Sequence, residues 1–236
     1  MPDRLVIPEA PEVADELPVA HPWWQWSASF NVAVSRNLPV ARMHDSETEG
    51  VIMRWGLVHR GEGEQTLGFG PALISSELLP GAGELRRAWL SGQRGIVPIA
   101  GFYVWQRTAA GFRQPYYVRL GDRSVFGIAA IWQRCTSTED DVIESCALLT
   151  VPANPMLLGL NNSTGRMPVI LSRHDYEVWL GSSVGQALEL LHDVPEPKLV
   201  SHPVGPYVNH LSFDGPQLIR PVSPYVPART YGLGQS

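Results

Sequence analysis

The sequence predicts a single α+β domain, built as a mostly antiparallel, barrel-like sheet with flanking helices. Three observations carry that prediction. Runs of β-branched and aromatic residues, separated by polar, glycine-bearing turns, fill the middle of the chain. Helical punctuation occurs only in a few short segments. With 22 glycines and 21 prolines in 236 residues, many turns and short elements are implied, which argues against a helical bundle.

Taken in order, PEVADEL (11–17) suits a short helix. FNVAVSRNLPVARM and EGVIMRWGLVHR read as strands, the second beginning after Gly50. GEGEQTLGFGP (61–71) is glycine-rich and polar and reads as a loop. GELRRAWLSG (83–92) reads as a helix closed by Gly92. GIVPIAGFYVWQ (95–106), QPYYVRL, RSVFGIAAIWQRC and ESCALLTV follow as strands of an antiparallel sheet or open barrel. SRHDYEVWLG (172–181) carries a helix signature: Ser172 can cap, Asp175 suits the positive N-terminal end, and Gly181 can terminate. A second helix is expected over 184–193, and the chain from Pro221 reads as loop. Repeats, low-complexity tracts and linkers are absent from the sequence.

Composition bounds the function. Charged residues are 17% and hydrophobic residues 44%, the balance of a folded domain rather than a disordered one. The net charge of −5 opposes non-specific duplex binding, so any nucleic-acid site must be a local patch. Cys135 and Cys146 lie in apolar, strand-like runs and read as reduced core thiols. The first residues lack the basic start and apolar stretch of a signal peptide, and no run approaches the roughly 20 apolar residues that span a bilayer. A cytoplasmic protein is the resulting expectation.

Short motifs add little. GSSVG (181–185) matches a nucleophile elbow in letters alone, because a helix is expected before Ser183 where the elbow needs a strand. The histidines and cysteines show no metal-ligand spacing, so neither metal nor cofactor is expected. Eight tryptophans are many for this length. They read either as core or as a platform on which bases stack, with Arg54, Arg94 or Arg166 on the phosphates.

Several blocks in one order carry more. They are FNVAVS…LPVAR, RWGL, GIVPIAGFYVWQ, QPYYV, AAIWQ, LLTVPAN, GRMPVIL and VN…DGPQLIRPV. Together they resemble the SRAP family, the SOS response-associated peptidases or abasic-site processing proteins. The resemblance covers about residues 1–222, leaving 223–236 as a C-terminal tail. It implies a single domain that binds single-stranded DNA and links covalently to abasic sites. In such proteins an N-terminal cysteine, exposed by loss of the initiator methionine, closes a thiazolidine ring with the sugar aldehyde, and a glutamate, a histidine and an asparagine assist.

Carried over residue by residue, that machinery is depleted. Pro2 holds the cysteine's place and Val104 the glutamate's, within Gly101, Phe102, Tyr103, Val104, Trp105. Thr164 holds the histidine's place, before Gly165, Arg166, Met167 and Pro168. The asparagine-bearing segment corresponds to Leu73, Ile74, Ser75, Ser76, Glu77 and Leu78. Proline has no thiol for ring closure, and valine cannot move a proton. Threonine does not change charge near neutral pH as imidazole does. The expectation is a DNA-damage-associated protein that binds single-stranded or abasic DNA, with covalent and peptidase activity reduced or lost. Arg4, Trp105, Thr150 and Arg166 fall at positions that face DNA by this match. Two alternatives stay open. One is a Pro2 amine forming a Schiff base, as in a lyase; the other is an inert scaffold, of the kind mobile elements carry.

Overall fold

Strand pairing organises the molecule, and turn chemistry sets where each strand stops. The computed structural model describes residues 3–17, 19, 24–60, 67–81, 83–107, 113–136, 141–160, 164–192 and 198–224. In chain order the elements are β1 (Arg4–Ile7), α1 (Ala10–Val13), β2 (Ser29–Ala33), β3 (Asn37–His44), β4 (Glu47–Trp55), β5 (Val58–Arg60), β6 (Leu67–Phe69) and β7 (Leu73–Ser75). Then come α2 (Gly83–Leu90), β8 (Arg94–Ile99), β9 (Gly101–Arg107), β10 (Arg113–Leu120), β11 (Phe126–Thr136) and β12 (Val142–Pro152). The chain continues through α3 (Pro155–Gly159), β13 (Arg166–Pro168), α4 (Tyr176–Gly181), α5 (Val184–His192) and β14 (Leu199–Pro203), with short 3₁₀ turns between some elements.

Strands β11, β8, β3, β4 and β12 pair in that order, and β11 pairs again with β12, which closes a five-stranded barrel. Closure removes the exposed edges that an open sheet would leave. Most pairings are antiparallel; β12 runs parallel to β4 and to β7. A second sheet, ordered β14-β10-β9-β1-β2, packs against the barrel. Its two faces have different tasks. Leu5, Ile7, Phe102, Val104 and Val118 join the main core. Val6, Tyr103 and Tyr117 point the other way and form a second cluster with Val204 and Val208, below the C-terminal turns 206–209 and 216–219. Period-two alternation forces this division, since neighbours on a strand project to opposite sides.

Gly101 is required by close approach rather than by backbone angle: a Cβ there would lie 2.4 Å from the Tyr117 ring and 2.5 Å from the Val118 carbonyl. Gly92, at φ +69°, ends α2 in the left-handed conformation, as the sequence predicts. The Ser183 hydroxyl lies 2.9 Å from Gln186 Oε1 and accepts the Gln186 N–H at 3.4 Å. The Gln186 side chain in turn accepts the Ser183 N–H at 3.3 Å, a capping box at the start of α5. With α4 before it, GSSVG is therefore a helix junction and not a nucleophile elbow.

The structure departs from the sequence reading in places. Leu67–Phe69, read as part of a loop, pairs with Val58–Arg60; residues 61–66 of that stretch lie outside the described residues. The expected helix at 11–17 is helical only at Ala10–Val13. Helix α3 was not expected; the Asn154 side chain accepts the Leu157 N–H at 3.0 Å, and Pro155 takes the first turn, where its missing N–H costs nothing. Residues 225–236 of the expected tail lie outside the described residues. Among the described residues no helix is long and apolar enough to cross a membrane.

Candidate functional site

Pro2 lies outside the described residues, so the site is built from Asp3 onward. Strand β1 pairs antiparallel with β9, with Leu5 opposite Phe102 and Val6 opposite Gly101.

Val104 is 1% exposed, sits opposite Tyr116 on β10 and belongs to the main core. Tyr103 and Trp105 do not surround it: alternation puts them on the other face of β9. There Tyr103 is fully buried, its hydroxyl donates to the Phe30 carbonyl at 2.8 Å, and burial pushes its phenol well above the ordinary range. Trp105 is half-buried. Its Nε1–H donates to Asn209 Oδ1 at 2.8 Å, its ring lies 6.5 Å from that of Tyr103, and the Arg113 guanidinium lies 5.9 Å over it. Arg4 shares this face with Val6. Its Nη1 donates to the Asp3 carbonyl at 3.0 Å and lies 3.9 Å from the Asp3 carboxylate, while its buried Nε has no partner among the described residues.

A second group forms where β12 leaves the barrel between β7 and β13. Thr150, expected to face DNA, is fully buried. Its hydroxyl donates to the Ile74 carbonyl at 3.1 Å and accepts from Arg166 Nε at 3.0 Å. Arg166 also donates to the Thr150 carbonyl at 2.6 Å, and its two Nη atoms grip the Glu77 carboxylate at 2.7 and 3.2 Å. Thr150 therefore aims Arg166 and offers nothing outward. The guanidinium holds the Glu77 carboxyl below its usual range, so Glu77 stays ionised and is no proton donor near neutral pH. Thr164 is exposed, two residues before Arg166 and next to Gly165 at φ +61°.

The other arginines considered for phosphate contact divide. Arg94 is buried between Trp89 and Trp179 and donates to the Trp179 and Ser182 carbonyls, which fixes the end of α4 and removes it from any ligand. Arg54 donates to the Gly56 carbonyl and the Ser35 hydroxyl and stacks 4.7 Å over Phe69. Most described tryptophans are core: Trp24, Trp55, Trp89 and Trp179 are buried. Trp23 lies outside the described residues. His59 lines a cleft of about 430 Å³ with Glu84, Arg87, Gln133 and Cys135, while Val104 is not among its walls. Both cysteines are free and buried, and burial pushes the Cys146 thiol up to about 12. Among the described residues no three histidine, cysteine or acidic side chains group closely enough to hold a metal ion.

The sequence of this chain matches the profile of the SOS response associated peptidase (SRAP) family over residues 5–211. It is 24% identical over 201 residues to the abasic site processing protein YoqW of Bacillus subtilis, covering 84% of this chain and 88% of that protein. It is 25% identical to the abasic site processing protein HMCES of Rattus norvegicus, covering 91% of this chain and 72% of that one. In fold it resembles a solved protein of Bacteroides thetaiotaomicron at 19% identity, with a TM-score of 0.78 over 94% of this chain and all of that one. A phage-related protein of Bordetella bronchiseptica superposes with a TM-score of 0.65 at 23% identity, over 86% of this chain and 93% of that one. Closed barrel, second sheet and a profile match across most of the length agree, and the chain belongs to the SRAP family.

Proposed function

We propose that this protein binds single-stranded or abasic-site DNA and has lost, or greatly reduced, the covalent and peptidase chemistry that the family resemblance implies. Relatives named as abasic site processing proteins support the DNA-related part. The observation that carries the loss is the state of position 104: an apolar side chain, 1% exposed, sealed into the main core where an acid is expected. No proton can be given or taken there. Thr164 supplies no base at neutral pH, and Arg166 and Glu77 are locked on one another.

Intact-mass spectrometry of the protein with and without abasic single-stranded DNA tests this directly. The expected result is an unchanged mass, alongside measurable, salt-sensitive binding by fluorescence anisotropy. A stable adduct formed without reductant would refute the loss of chemistry. An adduct that appears only with borohydride would move the assignment to Schiff-base chemistry at an amine.

A further inference from the structure

We propose that this protein carries a binding site for a small amphipathic monocarboxylate, a molecule with an apolar body and a single anionic head, at the end of the second sheet where β9 begins. The site is independent of the DNA reading above. It is a cavity of about 410 Å³, within the roughly 300–1,000 Å³ typical of small-molecule pockets. Ala100, just before β9, stands in its wall, and Val104 and Trp105 do not. Trp105 lies four residues past Gly101, about 13 Å further along the strand.

Its interior is apolar because polar atoms along the inner walls are committed to the fold. Val6, Phe30, Ala100, Tyr117 and Ile219 line it. The Tyr117 hydroxyl donates to the Ala100 carbonyl at 2.8 Å, which leaves the ring as the wall. His202 also lines the cavity, and its Nε2 lies 2.8 Å from the Ile219 carbonyl. A carbonyl only accepts, so that nitrogen donates, and the bond ties the turn 216–219 to β14. The Phe30 N–H donates to Asp214 Oδ1 at 2.6 Å, and its carbonyl accepts from the Tyr103 hydroxyl at 2.8 Å. These bonds join separate parts of the chain and hold the walls in place, so the cavity is formed before a ligand arrives.

Charge sits at the mouth. Arg119 follows Tyr117 by two residues on β10, so alternation puts both on one face, and Arg119 is exposed. Its Nη1 donates to the Leu120 carbonyl at 2.8 Å, and among the described residues it forms no ion pair. Arg123, the second arginine of the wall, is shared between Glu16 at 3.5 Å and Asp122 at 3.6 Å. Glu12, exposed on α1, is the one carboxylate in the wall. One unpaired guanidinium beside one acid suits a single carboxylate head, held by a charge-assisted bond, and disfavours a polyanion. Behind the head only apolar contact is on offer, so the body must be hydrocarbon. A neutral apolar molecule would leave Arg119 unused, and an anion without a body would leave the apolar walls wet.

Titration of the isotope-labelled protein with sodium octanoate, followed by NMR, tests the site, with 1-octanol as the uncharged match and hexanoate as the shorter acid. Octanoate should give saturable shifts concentrated at Ala100, Tyr117 and Ile219, and should bind more tightly than 1-octanol. Hexanoate should bind about 10-fold more weakly than octanoate, since two methylenes leave the apolar wall. Arg119→Gln should weaken octanoate about 10-fold and leave 1-octanol unchanged, because the charge-assisted bond alone is lost. Ala28→Trp, at a half-buried position of the wall, should weaken both. Arg119 is exposed, so its exchange keeps the fold, which thermal unfolding confirms, and that variant decides the matter whether or not Ala28→Trp folds. Octanoate shifts that fail to saturate, or that scatter over the surface, would overturn the site. Equal affinity of the parent for octanoate and 1-octanol, or unchanged octanoate binding by Arg119→Gln, would overturn the carboxylate assignment. Displacement of octanoate by oligothymidylate would give the cavity to nucleic acid instead.

Discussion

Restoring the missing carboxylate by Val104→Glu should damage the protein more than it helps the site. Val104 is 1% exposed and shares the main core with Phe102 and Val118. Losing its buried isopropyl group removes roughly 1.5–3 kcal/mol of burial. A carboxyl group left there without a partner costs a further 1–3 kcal/mol or so. The sum, about 2.5–6 kcal/mol, is a large part of the roughly 5–15 kcal/mol that keeps a typical domain folded. Desolvation disfavours the charged form, so the new acid enters protonated, with its folded pKa raised above the unfolded value of about 4.3. A raised folded pKa means that the variant is least impaired below the unfolded value and loses further stability as pH rises toward the folded one. Urea denaturation followed by tryptophan fluorescence at pH 5 and pH 8 measures this. The Val104→Thr variant, polar but not ionisable, is the control; its cost should be roughly 1–3 kcal/mol and the same at both pH values. A Val104→Glu deficit under about 1 kcal/mol with a flat pH profile would show that water reaches position 104. The claim that the site is sealed would then fail.

Four further outcomes are expected. The Glu77 carboxyl, observed by NMR titration, should protonate below the ordinary glutamate midpoint, and Arg166→Lys should move that midpoint up; because its folded pKa is lowered, the stability it adds is present at neutral pH and is lost only as acid titrates it. With Glu77 54% exposed, Glu77→Gln should cost under about 1 kcal/mol, read by urea denaturation at pH 7. Ser183→Ala should lower stability by about 1 kcal/mol through loss of the capping box, and a fluorophosphonate probe should leave Ser183 unlabelled in the parent protein, whereas labelling would revive the elbow. Cys146, buried and with its thiol pushed up to about 12, should resist a disulfide reagent until the chain is unfolded; native-state labelling at Cys146 would contradict the packing of β12.

The barrel was legible because its strands are written in β-branched and aromatic runs bounded by glycine, and local pattern determines such elements. Leu199–Pro203 was missed because LVSHP is short and gains its identity only by pairing with Tyr116–Leu120, a partner far away in sequence. The same limit applies at the site. The family's glutamate place could be found at Val104 because strong anchors flank it. That Tyr103 and Trp105 face away from Val104 follows from alternation, but which face meets the core is decided by packing. Thr150 aligned with a DNA-facing position, yet its burial depends on β7 and β13 closing over β12. Arg166 looked available in sequence because Glu77, 89 positions earlier, becomes its neighbour only after β7 joins β12.

These placements separate two properties that share one strand. Position 104 serves the inner face of β9, and Trp105 and Arg107 serve the outer. Valine at position 104 fills the inner face and carries no proton, and it alters nothing on the outer face, because no side chain crosses the strand. If the family's chemistry is lost there, as proposed, binding need not be lost with it. Arg166 is neutralised by Glu77 and the chain as a whole is acidic, so any attraction for a nucleic acid acts only locally, within about a Debye length, 8–10 Å at ordinary salt.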